Sequence, residues 1–296
     1  MSKVSLRDIL RDRIVIMDGG IGTLLQNLTG ARPFQSCYDH FSVTCPEIVR
    51  SVHRQYLEAG ADIITTNTFS ANVISLSHYD LSDQVKVINR AAARLAREEA
   101  DHFMAEHPHR SIFVAGSIGP IQSSISTESL RDAYKQQLEA LVNNGVDILL
   151  FETIIDLSSL KTGIEEALRQ TDLPIMLSAS IIPDGHLYSG ETLDDFLSAI
   201  RPYPILSIGL NCSCGGENIP VYIKKLATQS SCYISLYPNA GLPNKDGTYP
   251  MTPEQFRSQI QPLINQGIIN IVGGCCGTTP EHIKSIRSLG SANNHK

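Results

Sequence analysis

No apolar run in the chain reaches the roughly 18 residues that a membrane-spanning helix needs, which excludes an integral helical anchor. The N-terminus lacks the apolar centre of a secretion signal, because Met1 to Arg13 interleaves Lys3, Arg7, Asp8, Arg11, Asp12 and Arg13 with few apolar residues. Basic charge is not in excess. The 24 Lys and Arg against 30 Asp and Glu leave a formal charge of −6, which gives no electrostatic footprint for nucleic acid. Linkers and low-complexity tracts are absent too. The cysteines, odd in number at seven with an adjacent pair and no C-x-x-C spacing, fit a disulfide framework poorly. That usage fits a reducing compartment and metal-binding or catalytic thiols, so a cytoplasmic protein is expected.

What is present is ample material for a core, at 42% hydrophobic residues in 296. Length alone allows one large domain or two ordinary ones. Short apolar runs recur, several of them just after a Gly that ends a helical pattern: Ala59-Gly60-Ala61-Asp62, Asn144-Gly145-Val146-Asp147 and Gln266-Gly267-Ile268. Glycine in the left-handed conformation closes a helix, and the run that follows is too short and too evenly apolar for another amphipathic helix. Eight such runs, beginning near Ile14, Ile63, Ile112, Ile148, Ile175, Ile205, Tyr233 and Ile269, read as strands buried on both faces, with room for a helix between neighbours. Helix starts are marked at Thr44-Cys45-Pro46-Glu47, expected to form a capping box, and at Thr252-Pro253-Glu254 and Thr279-Pro280-Glu281. After the first, Ile48, Val49, Val52 and Tyr56 form a stripe at helical spacing.

This pattern predicts an α/β fold, a (β/α)8 TIM barrel in a single domain over 1–296, with a short polar tail from Ser291 to Lys296; a doubly wound open sheet is the alternative. The strand ends carry the chemistry. Apolar runs give way to Asp18, Asn67, Ser117, Glu152, Ser180, Asn211-Cys212, Asn239 and Gly274-Cys275-Cys276. In a barrel these ends converge on one rim, where active sites lie.

Cys275 and Cys276 sit between Gly273-Gly274 and Gly277. Adjacent side chains of an extended strand point to opposite faces, so a shared ligand requires a sharp turn, which the glycines permit. With Cys212 on the same rim, three thiolates form a tripod for one Zn2+ that leaves the fourth tetrahedral position open, a catalytic arrangement rather than a structural one. The competing reading makes these cysteines small buried hydrophobes. That reading is adopted for Cys37, Cys45 and Cys232, while Cys214, two residues after Cys212, stands as a substitute ligand.

The chain resembles the homocysteine methyltransferase family, which includes the homocysteine domain of cobalamin-dependent methionine synthase. The likeness runs from about Ile14 to His282. It rests on Asp18-Gly19-Gly20-Ile21-Gly22-Thr23, the stretch from Glu58 through Thr65-Thr66-Asn67-Thr68-Phe69, Phe151-Glu152-Thr153, Gly209-Leu210-Asn211-Cys212, Pro238-Asn239-Ala240-Gly241 and Gly273-Gly274-Cys275-Cys276-Gly277-Thr278-Thr279-Pro280. The resemblance implies a (β/α)8 barrel with Zn2+ on Cys212, Cys275 and Cys276, and with Asn239 where the fourth ligand stands before substrate arrives. It also implies that Asp18 and Glu152 hold the ammonium of homocysteine, a role that carboxylates suit. Main-chain N–H groups of the turn after Asp18, beginning at Gly19, together with Thr66, would receive the substrate carboxylate. Each has a plainer reading: Asp18 as a helix cap, Glu152 as half of an ion pair, Thr66 and Asn67 as strand-end hydrogen-bond formers, and the glycines as loop geometry.

The expected reaction is attack by the homocysteine thiolate on an electrophilic methyl carbon to give methionine. Methionine synthase continues into folate- and cobalamin-binding modules, whereas this chain stops soon after its eighth helix would end. Those modules are therefore expected as separate polypeptides, or the donor is small, such as S-methylmethionine. Within the family, S-methylmethionine enzymes usually carry Arg after the paired cysteines and methionine synthases Gly. Gly277 thus points to a methylcobalamin protein charged from methyltetrahydrofolate. Two rival classes are a phosphate-binding barrel aldolase or isomerase, for which no strand-end Lys is available, and a non-catalytic zinc-dependent partner of a corrinoid protein.

Overall fold

The computed structural model describes residues 4–31, 36–121, 125–213, 218–245 and 247–291. Cys214 and the tail beyond Ser291 lie outside the described residues. Eight parallel strands form one sheet: β1 (Val15–Ile16), β2 (Ile63–Thr65), β3 (Phe113–Ile118), β4 (Ile148–Ile154), β5 (Ile175–Ala179), β6 (Ile205–Asn211), β7 (Tyr233–Tyr237) and β8 (Ile271–Val272). Each begins within two residues of its expected start. The sheet runs β1-β8-β7-β6-β5-β4-β3-β2, and a parallel bridge between Met17 and Ile63 joins its two ends. The fold is the (β/α)8 barrel, and the open doubly wound sheet is ruled out.

Alternation along the strands divides the core into two parts. Val15, Met17, Ile63, Phe113, Ala115, Ile148, Leu150, Met176 and Ile271 form an inner cluster. A second, larger cluster fills the space between the strands and the helices packed around them. Gly60, Gly145 and Gly267 all have positive φ, as the helix-to-strand junctions require.

The N-terminal segment, expected only to be charged and polar, is a helix (Leu6–Asp12) with a Ser5–Asp8 capping box. Its buried Leu6 and Leu10 join the inner cluster and so plug the barrel at the end away from the strand termini that carry the cysteines. Asp62 locks the β1–β2 seam, accepting two bonds from the Arg13 guanidinium at 2.6 and 3.0 Å, one from Arg110 at 3.1 Å and one from the Ile16 N–H at 3.1 Å.

The helix over Pro46–Ala59 starts where expected, but the Thr44 box does not form. Thr44 ends a short preceding helix and donates its hydroxyl to His40 O, so the cap falls to Cys45, which makes no side-chain bond. Thr252 and Thr279 do cap the helices Pro253–Asn265 and Pro280–Ile286 with full capping boxes, closed by Gln255 and His282. Among the described residues no helix is long and apolar enough to cross a membrane.

Candidate metal and substrate site

A cavity of about 540 Å3 opens at the carboxyl ends of the strands. Its wall includes Asp18, Gly19, Thr66, Glu152, Cys212, Cys275 and Cys276, residues contributed by β1, β2, β4, β6 and β8 or the turns after them.

The three cysteines meet. Their Sγ atoms lie within 4.8 Å of one another, with Cys212 to Cys276 at 3.5 Å and Cys275 to Cys276 at 4.0 Å. Tetrahedral zinc with Zn–S bonds of about 2.3 Å separates its sulfurs by about 3.8 Å, so the donor set fits the ion. Two local devices create the approach. After β8 the chain makes a tight turn in which the Thr278 N–H and hydroxyl both donate to Cys275 O, at 3.1 and 2.7 Å, with Gly277 at φ +78°. At the end of β6, Cys212 itself takes φ +47°, a conformation that costs a non-glycine residue about 1 kcal/mol or more and that the structure must hold in place. Ser180 helps by donating its hydroxyl to Cys212 O at 3.4 Å. Asn211 donates to Cys275 Sγ at 3.9 Å and to Thr153 Oγ1 at 2.9 Å.

The Cys276 thiol is pulled down by hydrogen bonds from Cys212 and Cys275, against burial, with a further bond from the Tyr249 hydroxyl. The Cys275 thiol is driven up by its bonds to Cys212 and Cys276 and by burial.

Asn239 is held beside the pair by its neighbours, since Cys275 N–H donates to Pro238 O and Ala240 N–H to Cys276 O, both at 2.9 Å. Its Oδ1 is buried and has no hydrogen-bond partner among the described residues. An orphaned carbonyl oxygen of this kind fits a fourth ligand position.

Asp18 caps no helix. The helix that follows (Ile21–Thr29) starts from Gly20 without a side-chain cap, and Asp18 Oδ2 accepts instead from the Thr65 N–H and hydroxyl at 2.6 and 3.0 Å. Burial, opposed by those bonds and reinforced by the charge of Glu152, pushes the Asp18 carboxyl up to about 7. Glu152 accepts the Ser117 hydroxyl and has no salt bridge among the described residues. It too is pushed up to about 7, by burial against the Ser117 bond and by the charge of Cys276. Asp18, which is buried, and Glu152, which is half-buried, thus face one cavity as carboxyls that take up a proton more readily than an ordinary carboxylate and that an incoming cation would ionise.

The plainer readings fit part of the rim. Asn67 ties the loop through Nδ2 to Tyr38 O at 2.7 Å and Ser42 Oγ at 3.2 Å. Thr66 Oγ1 accepts from the Ser117 N–H at 3.0 Å and pairs with Thr68 Oγ1 at 2.6 Å. A Cβ on Gly19 would fall 2.7 Å from Thr278 Oγ1, and one on Gly20 would fall 2.6 Å from Cys275 O, so this turn packs directly on the cysteine turn. Cys37 is buried with Ala71, Leu76, Val85 and Ile88, and Cys232 packs on the outer core.

Sequence reasoning missed four side chains. Thr65 holds Asp18. Tyr56, noted only as part of a helical stripe, donates its hydroxyl to Thr278 O at 3.1 Å and braces the cysteine turn. Tyr237 lines the cavity, and Tyr249 reaches Cys276 from a loop. Tyr56 carried a signal in the stripe, Thr65 in the motif that precedes Thr66-Asn67, and Tyr237 in its place at the end of the seventh strand before Pro238-Asn239, whereas Tyr249 stands in a loop that marks neither site nor core.

The comparisons with known proteins agree with this geometry. The metallated form of homocysteine methyltransferase MmuM from Escherichia coli superposes with a TM-score of 0.81 at 25% identity, over 93% of this chain and 96% of that one. The oxidized form of the same protein gives 0.79 at 26% identity, over 93% and 95%. Ribulose-1,5-bisphosphate carboxylase/oxygenase from Pyrococcus horikoshii, at 13% identity, a TM-score of 0.54 and coverage of 95% and 58%, shares the barrel alone. A family model described as homocysteine S-methyltransferase matches residues 15–289, and the chain therefore belongs to the homocysteine S-methyltransferase family.

Proposed function

We propose that this protein is a zinc-dependent methyltransferase that converts homocysteine to methionine. The observation that carries this reading is the convergence of three sulfurs within 4.8 Å on the wall of a cavity that also presents the carboxyls of Asp18 and Glu152. Cys212, Cys275 and Cys276 would hold Zn2+, and Asn239 Oδ1 would serve as a fourth, weaker ligand. When bound, zinc supplies a Lewis acid that keeps a coordinated thiol ionised near neutral pH.

The chain's own residues then do the rest. Asp18 and Glu152 give up their protons to receive the ammonium of homocysteine, and the Gly19 N–H and Thr66 receive its carboxylate. Fixing both ends of the zwitterion aims its sulfur at the cysteines and holds it at attack distance from the methyl carbon, the positioning that supplies much of the rate.

For the donor, the cavity favours a small molecule. At about 30 Å3 per non-hydrogen atom, the volume share of a liquid water and a generous allowance, homocysteine with eight such atoms fills roughly 240 Å3, less than half of the 540 Å3 available. S-methylmethionine fits in what remains. The signal from Gly277 loses force because its φ of +78° and the Tyr249 ring, 2.1 Å from where a Cβ would stand, demand glycine on local grounds. Methyl transfer from a methylcobalamin protein charged by methyltetrahydrofolate is the second reading, with docking at the cavity mouth. Steady-state assays of zinc-loaded protein with homocysteine and S-methylmethionine, free methylcobalamin, or methyltetrahydrofolate plus a corrinoid protein decide between them. Methionine is expected from the first, and no methionine from any of the three would refute the enzyme reading.

A further inference from the structure

The β4 strand carries one residue more than its neighbour can match. Phe151 pairs with Leu177 and Ile154 with Ala179, so three steps along β4 answer two along β5. The surplus falls at Glu152 and Thr153, and Thr153 takes φ +56°, in the left-handed region. A bulge of this kind re-aims a side chain and leaves a main-chain N–H out of the ladder. Both residues of the bulge line the cavity, and one of them is the carboxyl proposed for the substrate ammonium.

The displaced N–H is met from β6, across the end of β5. Asn211, buried at 1% exposure, accepts from the Thr153 N–H through Oδ1 and donates through Nδ2 to Thr153 Oγ1, both at 2.9 Å. The next residue on β6 is Cys212, itself at φ +47°, and the same Nδ2 lies 3.9 Å from Cys275 Sγ. Two backbone positions that a non-glycine residue adopts only under constraint are thus joined by one carboxamide. Glu152 adjoins one of them, and the other is a cysteine of the cluster.

We propose that Asn211 is a positioning residue that sets the length of the substrate: by clamping the β4 bulge to the end of β6, it fixes the spacing between the Glu152 carboxyl and the thiols, and so selects a thiol amino acid with two methylenes between sulfur and α-carbon over one with a single methylene. The proposal rests on the reading of Glu152 as the ammonium partner and of the three cysteines as the metal site. A zwitterion held at its ammonium and at its sulfur spans the gap between those two holds. A chain one methylene short reaches only one of them unless the gap can shrink. Discrimination by one methylene runs to roughly 10- to 200-fold in a closely fitted site, which requires the two holds to keep their spacing to within about 0.5 Å.

The test measures, by calorimetry on the zinc-loaded full chain, the affinities of homocysteine and cysteine, and takes their ratio. Wild type is expected to favour homocysteine by about tenfold or more. Asn211→Ala removes both bonds to Thr153 and should bring the two affinities to within about threefold of each other, as the gap loses its fixed length. Thr153→Val removes the hydroxyl alone and should fall between, whereas Thr153→Ser keeps the hydroxyl and should retain the wild-type ratio. An unchanged ratio in Asn211→Ala overturns the proposal, including the case in which both affinities fall by the same factor, the mark of a purely structural role. If Asn211→Ala takes up no zinc, Thr153→Val decides, and a wild-type ratio there overturns the proposal. A wild-type chain that binds cysteine as well as homocysteine overturns it too. A wild-type chain that takes up no zinc, or whose homocysteine affinity survives Glu152→Gln, fails at the earlier step and overturns the reading beneath it.

Discussion

Cys212 Sγ stands 3.5 Å from Cys276 Sγ although 64 residues separate them in the chain. The contact exists because β6 and β8 flank β7 in the barrel and both end on the same rim. It also depends on two local departures from extended backbone, the positive φ of Cys212 and that of Gly277.

Removing one carboxylate charge separates substrate binding from metal binding. Glu152→Gln retains a partner for the Ser117 hydroxyl and loses the charge proposed to face the substrate ammonium. Zinc content should be unchanged, and homocysteine affinity by calorimetry should weaken roughly 10- to 100-fold, as for loss of a charged hydrogen bond. Unaltered affinity would show that the ammonium is held elsewhere.

Ligand binding should depend on pH through the same two groups. Asp18 and Glu152 are both pushed up to about 7 by burial, so below that pH they are largely protonated in the free protein. An ammonium ligand needs them ionised. Affinity for methionine, which lacks a free thiol, should therefore fall as pH drops below 7, by up to about tenfold per unit for each proton that must be released. A flat affinity from pH 5.5 to 8 would contradict this.

Stability carries a separate pH signature from His53, which is buried in the Pro46–Ala59 helix with both ring nitrogens unpartnered among the described residues. Burial, with a smaller contribution from Arg50, pulls it down from its ordinary 6.5 to about 4. The folded state thus binds the proton less readily than the unfolded chain does. The resulting stability is fully present above pH 6.5 and is lost as pH falls toward 4, on the order of 3 kcal/mol over the window. His53→Leu should abolish this component. The gap in urea-unfolding free energy between variant and wild type should widen in the variant's favour from pH 7.5 to 4.5, and a constant gap would refute it.

Much of the barrel was legible because period and punctuation agree along it. Ile148 to Phe151 can only be a strand buried on both faces, and Gly60, Gly145 and Gly267 mark where helices stop. The rim positions followed, since each strand end gives way to a polar residue. Two other features were not legible. The Leu6–Asp12 helix buries only Leu6 and Leu10, too few apolar positions to stand out among its charges. The Thr44 cap was misplaced because the chain enters its helix from another short helix, whose C-terminal bonds take the threonine hydroxyl. Tyr249 and Thr65 act through contacts made across the fold, and such contacts leave no periodic trace in sequence.

X-ray absorption at the zinc edge addresses the metal centre directly. Loaded protein should show three sulfurs at about 2.3 Å and one oxygen or nitrogen, and addition of homocysteine should raise the sulfur count to four. Two or fewer sulfurs in the resting protein, or a count that homocysteine leaves unchanged, would contradict a cysteine tripod that receives the substrate thiol.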